Sequence, residues 1–164
     1  MSTKPSTTRP SGKIVPASLR NAYPADAAAI TTIFLEARAT SMAYVPTLYS
    51  QAEIRDWVVN DLMNRCKVMV ACIDRTVVGF TVRYNDWLEQ LYIHPDRQGL
   101  GIGTLLVEQA KRASSGTLRL HVFQQNLRAR HFYARHGFTV ECLRDKSQNE
   151  EQVPDMVCLW RAGR

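Results

Sequence analysis

The sequence predicts one mixed α/β domain, an α+β arrangement around a single sheet, on three observations. Apolar residues recur with a helical period up to about residue 62. From Lys67 the period changes to that of β-strands, with runs rich in Val, Ile and Tyr. Beyond residue 100, helical and extended patterns alternate to the end. A chain of 164 residues with 45% apolar and 22% charged residues can bury a substantial core, and its composition excludes collagen, coiled coil and disorder throughout.

Each element has its own signal. Residues 1–17 are rich in Ser, Thr, Pro and Lys, too polar to bury themselves, and read as a flexible basic arm ahead of a domain at 18–164. Ala17 to Ala22 reads as a first strand, and Asp26 stands where it could cap a helix. Ile30, Ile33, Phe34 and Ala37 then form one buried helical face. Ser50 and Glu53 form a capping box, followed by a second face of Ile54, Trp57, Val58 and Leu62.

Between these helices, Met42 to Pro46 makes a loop whose Tyr44 either covers the core or lines a pocket. Val68–Ile73 and Val77–Tyr84 read as a hairpin, and Trp87–Ile93 as a third run that Pro95 must terminate. A helix from about Thr104 to Ser114, a strand at Leu118–Phe123, a helix at 127–136 and strands near 138–144 and 156–161 complete the chain. The order is β-α-α-β-β-β-α-β-α-β-β, with an antiparallel start.

Charge and cysteine narrow the function classes. Lys4, Arg9, Lys13 and Arg20, with no acid among residues 1–20, supply most of the +6 net charge. The rest of the chain is nearly balanced, which argues against a nucleic-acid partner. No apolar stretch approaches the about 18–20 residues of a membrane span, and the first residues lack the apolar core of a secretory signal. Cys66, Cys72, Cys142 and Cys158 show neither CxxC spacing nor a close His partner. They read as reduced packing residues in a cytoplasmic protein without a metal.

The chemistry concentrates in Gln98-Gly99-Leu100-Gly101-Ile102-Gly103, between a strand and a helix. Three glycines in five positions let the main chain aim several amides at one point, and the helix start adds the positive end of its dipole. That arrangement suits a pyrophosphate; a purely structural turn is the alternative. A Rossmann fingerprint would need glycine where Thr104 stands, and a P-loop would need a lysine after Gly103.

These residues resemble the acetyl-CoA signature of the GNAT superfamily of N-acetyltransferases, [QR]-x-x-G-x-[GA]. Leu91-Tyr92-Ile93-His94-Pro95 is similar to that family's fourth strand. Asn126, Ala129-Arg130, Phe132-Tyr133 and Gly137-Phe138 resemble its second conserved block. The resemblance covers roughly residues 18–162 and implies a GNAT-like fold split between strands 4 and 5.

The resemblance implies acetyl-CoA as acyl donor, with no metal. Its pyrophosphate would meet amides from Gln98, Gly99, Leu100, Gly101, Ile102, Gly103 and Thr104, and its pantetheine arm the main chain of Leu91, Tyr92 and Ile93. Asn126 would help position it, or simply cap the following helix.

An amine-bearing acceptor, small molecule or protein, would attack the thioester directly, so a base must take its proton and an acid must serve the departing thiolate. Tyr133 matches the family's acid position, though Ala129, Phe132, Tyr133 and His136 also share one packing face. Glu89, on the fourth strand with Trp87, Leu91 and Ile93 by alternation, is the candidate base, with Asp86 and His121 as rivals.

Asn149-Glu150-Glu151…Pro154-Asp155 resembles a stretch found in one bacterial GNAT group. There Glu150 and Glu151, with Tyr44 and Trp87 elsewhere, are candidates to meet a cationic acceptor. Arg128 and Arg130 are candidates to reach phosphates. Family members often pair through their C-terminal strands, which leaves a homodimer open. A non-catalytic acyl-CoA sensor is the other reading of the same cradle.

Overall fold

A computed structural model describes residues 16–163, so the arm expected at 1–17 lies almost wholly outside the described residues. Seven strands form one mixed sheet: β1 (Ser18–Asn21), β2 (Lys67–Ile73), β3 (Thr76–Tyr84), β4 (Trp87–Ile93), β5 (Thr117–Phe123), β6 (Thr139–Arg144) and β7 (Asp155–Arg161). Their spatial order is β1-β2-β3-β4-β5-β7-β6. Every neighbouring pair is antiparallel except β4 and β5.

Four helices cover the sheet: α1 (Ala27–Ser41), α2 (Gln51–Trp57), α3 (Ile102–Arg112) and α4 (Leu127–Arg135). On one face, Ile30, Ile33 and Phe34 of α1 and Ile54 of α2 pack on Val70, Phe80 and Val82. On the other face, Ile102 and Leu106 of α3 meet Ala71, Ile73 and Val78, while Val107 and Ala110 meet Leu118, Leu120 and Val122. Phe80 is fully buried at the centre of the first layer. A Phe80→Ala variant is expected to lose about 3–5 kcal/mol of unfolding free energy, measurable by urea denaturation.

The capping box before α2 forms as the sequence indicates: the Glu53 amide donates to Ser50 Oγ at 3.2 Å, and the Ser50 amide to Glu53 Oε2 at 2.7 Å. Beyond Trp57 the helix continues as a π-helical segment, Val58–Leu62, and a last turn, Met63–Arg65. The wider turn still brings Ile54, Val58 and Leu62 to the core.

Asp26 does something other than cap α1. Its carboxylate accepts from both Arg20 guanidinium nitrogens, at 2.7 and 3.0 Å, and from the Tyr23 amide at 2.6 Å. It thereby ties β1 to the short 3-10 turn Pro24–Asp26. These contacts hold its carboxyl below the usual range, Arg20 contributing most.

The cysteines are free among the described residues. Cys72 and Cys158 are buried, as packing residues should be, but Cys142 is exposed on edge strand β6. Val140 and Leu143 of β6 are exposed as well.

Candidate functional site

Strands β4 and β5 touch at one rung, Trp87 opposite Arg119, where the Arg119 amide donates to the Asp86 carbonyl at 2.8 Å. Beyond that rung they diverge and leave a cleft of about 270 Å³. Its walls come from β4 and β5, its flanks from α1, α4 and the β6–β7 connection. A strand that loses its neighbour leaves main-chain donors and acceptors unpaired along that edge.

The phase of the β3–β4 ladder decides which groups these are. The His94 amide donates to the Val78 carbonyl, and Tyr92 stands opposite Phe80 two residues earlier. Alternation in an antiparallel ladder therefore turns the main chain of Tyr92 toward β3, and that of Leu91 and Ile93 toward the split. Of the three consecutive residues expected to pair with a ligand, two, Leu91 and Ile93, turn their main chain toward the split. The Ile93 carbonyl already accepts from Gln98 Nε2 at 3.2 Å.

The glycine turn follows β4 and the short turn Pro95–Arg97 in the chain, and its residues are not among those lining the cleft. Gly99 (φ 76°) and Gly101 (φ 80°) adopt the left-handed conformation that favours glycine, and a Cβ at either would meet nothing within 4 Å. The surface over the turn is open, as an anion cradle requires. Gly101 is the N-cap of α3, so the first amides of that helix face outward at its positive end. Gly103 serves a different purpose: a Cβ there would sit 3.2 Å from the Phe132 ring, so its absence lets α3 and α4 pack closely.

Around the turn, Leu100 is exposed and the side chain of Ile102 is buried, so Ile102 offers only its amide. Thr104 Oγ1 lies 3.3 Å from His136 Nε2. Arg128 Nη1 donates to Gln98 Oε1 at 2.6 Å, which holds one cation at the turn. Arg130 instead donates to the Gln124 carbonyl at 2.9 Å, away from it.

Tyr133 lines the cleft and packs edge-on against Phe132 and Phe138, so its core and cleft readings coexist. Burial, with smaller contributions from Tyr92 and Cys158, pushes its phenol well above the ordinary range. The hydroxyl therefore keeps its proton at neutral pH. Asn126 Oδ1 accepts from the Ala129 amide at 3.1 Å, capping α4, and also lines the cleft.

Glu89 occupies a β-bulge. Val82 pairs with Gln90 and Arg83 with Leu88, leaving Glu89 as an extra residue in β4. Simple alternation placed it beside Trp87, Leu91 and Ile93; the bulge keeps it with Trp87 but breaks the alternation beyond. Leu91 and Ile93 pack on the α3 side, whereas Tyr92 packs on Phe34 and Phe80. Glu89 and Gln90 line the cleft together. The Glu89 side chain is reachable from solvent, yet surrounding protein raises its carboxyl above the usual range.

The remaining candidates spread out. Glu151 lines the cleft and pairs with Arg38 at 3.4 Å; Glu150 points elsewhere and accepts from Tyr49 Oη at 2.7 Å. Tyr44 stands edge-on to Phe123, a cleft residue, and Trp87 stacks on His121 at 4.8 Å between centroids. Asp86 faces the α3–β5 connection, where its carboxylate accepts from Ser115 Oγ at 2.8 Å. His121 lines the cleft 3.2 Å from Arg144 Nη1, and burial and Arg144 together lower its pKa despite Asp155.

Two residues escaped the sequence reading. Arg38 donates to Tyr92 Oη at 3.3 Å and lies 5.2 Å above the Phe34 ring centre. Its signal was an arginine continuing the buried stripe of Ile30 and Phe34 at four-residue spacing. Arg144 Nε lies 3.1 Å from the buried Asp155 Oδ1, an ion pair without hydrogen-bond alignment. Nothing in an alternating strand marked it. Among the described residues, no three His, Cys, Asp or Glu side chains cluster as a metal site, and no helix is long and apolar enough to cross a membrane.

A family model described as an acetyltransferase (GNAT) domain matches residues 64–140, which include β2 through α4 and the glycine turn. A peptidyl-lysine N-acetyltransferase, YjaB of Salmonella typhimurium, is 36% identical over 91 residues, 55% of this chain and 61% of that protein. The match thus spans less than two thirds of the relative's length.

The solution structure of apo YjaB from Escherichia coli superposes with a TM-score of 0.74 at 24% identity, covering 88% of this chain and 97% of that one. The PaiA N-acetyltransferase of Thermoplasma acidophilum, crystallised with coenzyme A, gives a TM-score of 0.69 at 21% identity, covering 89% and 99%. The split sheet, the glycine turn at a helix start and the sequence match over residues 64–140 converge on a likeness to GNAT acetyltransferases.

Proposed function

We propose that the protein transfers an acetyl group from acetyl-CoA to a primary amine, with a protein lysine side chain as the acceptor class. The observation that carries the reading is the β4–β5 split, with the main chain of Leu91 and Ile93 turned into it and the open turn at Gly99 and Gly101 following β4. The lysine acceptor is supported by the name of the YjaB relative and by carboxylates at the cleft.

Amides from Gln98 to Thr104 would hold the pyrophosphate, with Arg128 beside them, and Leu91 and Ile93 would pair with the pantetheine arm as a strand pairs with its neighbour. Asn126 would fix the start of α4 against that arm.

Glu89 takes one proton from the acceptor ammonium, whose ordinary pKa lies near 10. As the N–C bond forms and the C–S bond breaks, Tyr133 gives its proton to the departing thiolate sulfur. The Tyr133 oxygen then regains a proton from the acylated nitrogen, and Glu89 releases its own to solvent. Nothing else is consumed.

Calorimetric titration with acetyl-CoA tests the reading, and micromolar binding is the expected result. A Gly101→Val variant should weaken it about tenfold or more, because a β-branched residue at φ 80° strains the turn by roughly 1–3 kcal/mol. A wild-type protein that takes up no acetyl-CoA would refute the proposal. Thiol release with a lysine peptide separates an enzyme from a silent acyl-CoA sensor.

A further inference from the structure

The Glu89 bulge walls two cavities. On the α2 side of β4 lies a second hollow of about 220 Å³, to which Glu89 and Gln90 also contribute. Trp57, Leu62 and Cys66 give it an apolar lining, and Tyr84 of the β3–β4 hairpin adds an aromatic ring. Unbranched methylenes gain by leaving water for such walls, and aromatic faces favour a cation beside them.

The carboxylates of the two cavities differ in one respect. In the cleft, Glu151 is paired with Arg38 at 3.4 Å and Asp155 with Arg144 at 3.1 Å. In the hollow, Asp61 is paired with Arg65 at 2.7 Å. Among the described residues, Glu89 is the one carboxylate lining either cavity that forms no side-chain hydrogen bond or ion pair. Its charge, with that of Asp61, also reaches Cys66, whose thiol is raised first by burial and then by these two anions.

The opposite approach to the cleft is bridged. Arg38 of α1 holds Glu151, and Tyr49 holds Glu150, so two contacts tie the β6–β7 connection to the α1–α2 region. An acceptor arriving there would first have to break both.

We infer that the hollow between the π-helical segment and the β3–β4 hairpin is the acceptor subsite, taking the aliphatic stem of a lysine side chain and delivering its nitrogen to Glu89 from the α2 side. The inference rests on the acetyl-transfer reading. It adds a place for the acceptor, and it assigns Trp57, Leu62, Cys66 and Tyr84 to acceptor binding.

Cys66→Phe, which fills the hollow, tests it. Relative to wild type, kcat/KM for a lysine-containing peptide should fall about tenfold or more, while acetyl-CoA affinity by calorimetry stays within roughly twofold. A folded variant with wild-type kcat/KM overturns the inference.

A second measurement leaves the hollow intact. In a Cys142→Ser background, which removes the exposed thiol, modification of Cys66 by a methanethiosulfonate reagent should be slowed by the same peptide and not by acetyl-CoA. Lack of protection by the peptide overturns the inference as well. So does a wild-type protein that releases thiol with small primary amines but not with the peptide. Failure of the acetyl-transfer reading itself looks different, because then acetyl-CoA fails to bind or no amine releases thiol.

Discussion

Replacing Tyr133 by phenylalanine is expected to lower kcat for acetyl transfer about 100-fold while leaving acetyl-CoA affinity within roughly twofold, since a positioned acid contributes on that scale. The ring would stay packed against Phe132 and Phe138, so the fold and the cleft wall persist and the missing oxygen is the only change. Steady-state thiol release and calorimetry on the same preparation separate the two effects. Because burial already holds the phenol protonated far above neutral pH, no acid-limited fall in rate is expected near pH 8. Equal turnover in the variant would remove Tyr133 from the mechanism.

Glu89→Gln is the second large effect. It keeps the shape of the bulge and removes the proposed base, so kcat/KM for the amine should fall about 100-fold at neutral pH. In the wild type the carboxyl titrates above its ordinary value, so activity should decline as pH falls through a point higher than that of a free glutamate. That limb should vanish in the variant.

Stability moves the other way. A carboxyl whose pKa is raised on folding binds more protons in the native than in the unfolded state between its two pKa values. Its contribution to stability is therefore present at low pH and lost as pH rises through the folded value. At neutral pH the ionised Glu89 is a burden on the fold, discounted by its solvent access. Thermal unfolding of Glu89→Gln at pH 7 should give a Tm equal to or slightly above wild type. A clear drop would mean that Glu89 holds the bulge together, and the loss of rate would then need another explanation.

Much of this arrangement was legible in the residues. Gly99 and Gly101 announce a turn that only glycine adopts cheaply, and the change of period at Lys67 marks where helices give way to the sheet. Ser50 and Glu53 act locally, so their capping box could be read three residues apart. What failed to show depends on partners far along the chain.

The bulge at Glu89 exists because Arg83 pairs with Leu88, a register that period-two counting on β4 alone cannot detect. Asp26 looked like a helix cap, but Arg20 reaches it first across the turn. Cys142 has the composition of a core residue and the position of an edge strand, and position decides its exposure. Gly103 was grouped with the cradle, although the ring that excludes a side chain there belongs to Phe132, 29 positions further on.

The lone rung between Trp87 and Arg119 makes the sheet two plates on a hinge. A donor that laces its own amides to Leu91 and Ile93 would stitch the open seam and stiffen both plates at once. Occupancy would then register as slower hydrogen exchange in strands on either side, including ones the donor never touches. With one rung joining them, β4 and β5 have the fewest ladder bonds to hold them together, so a donor bound there would add the rigidity that the sheet itself does not supply.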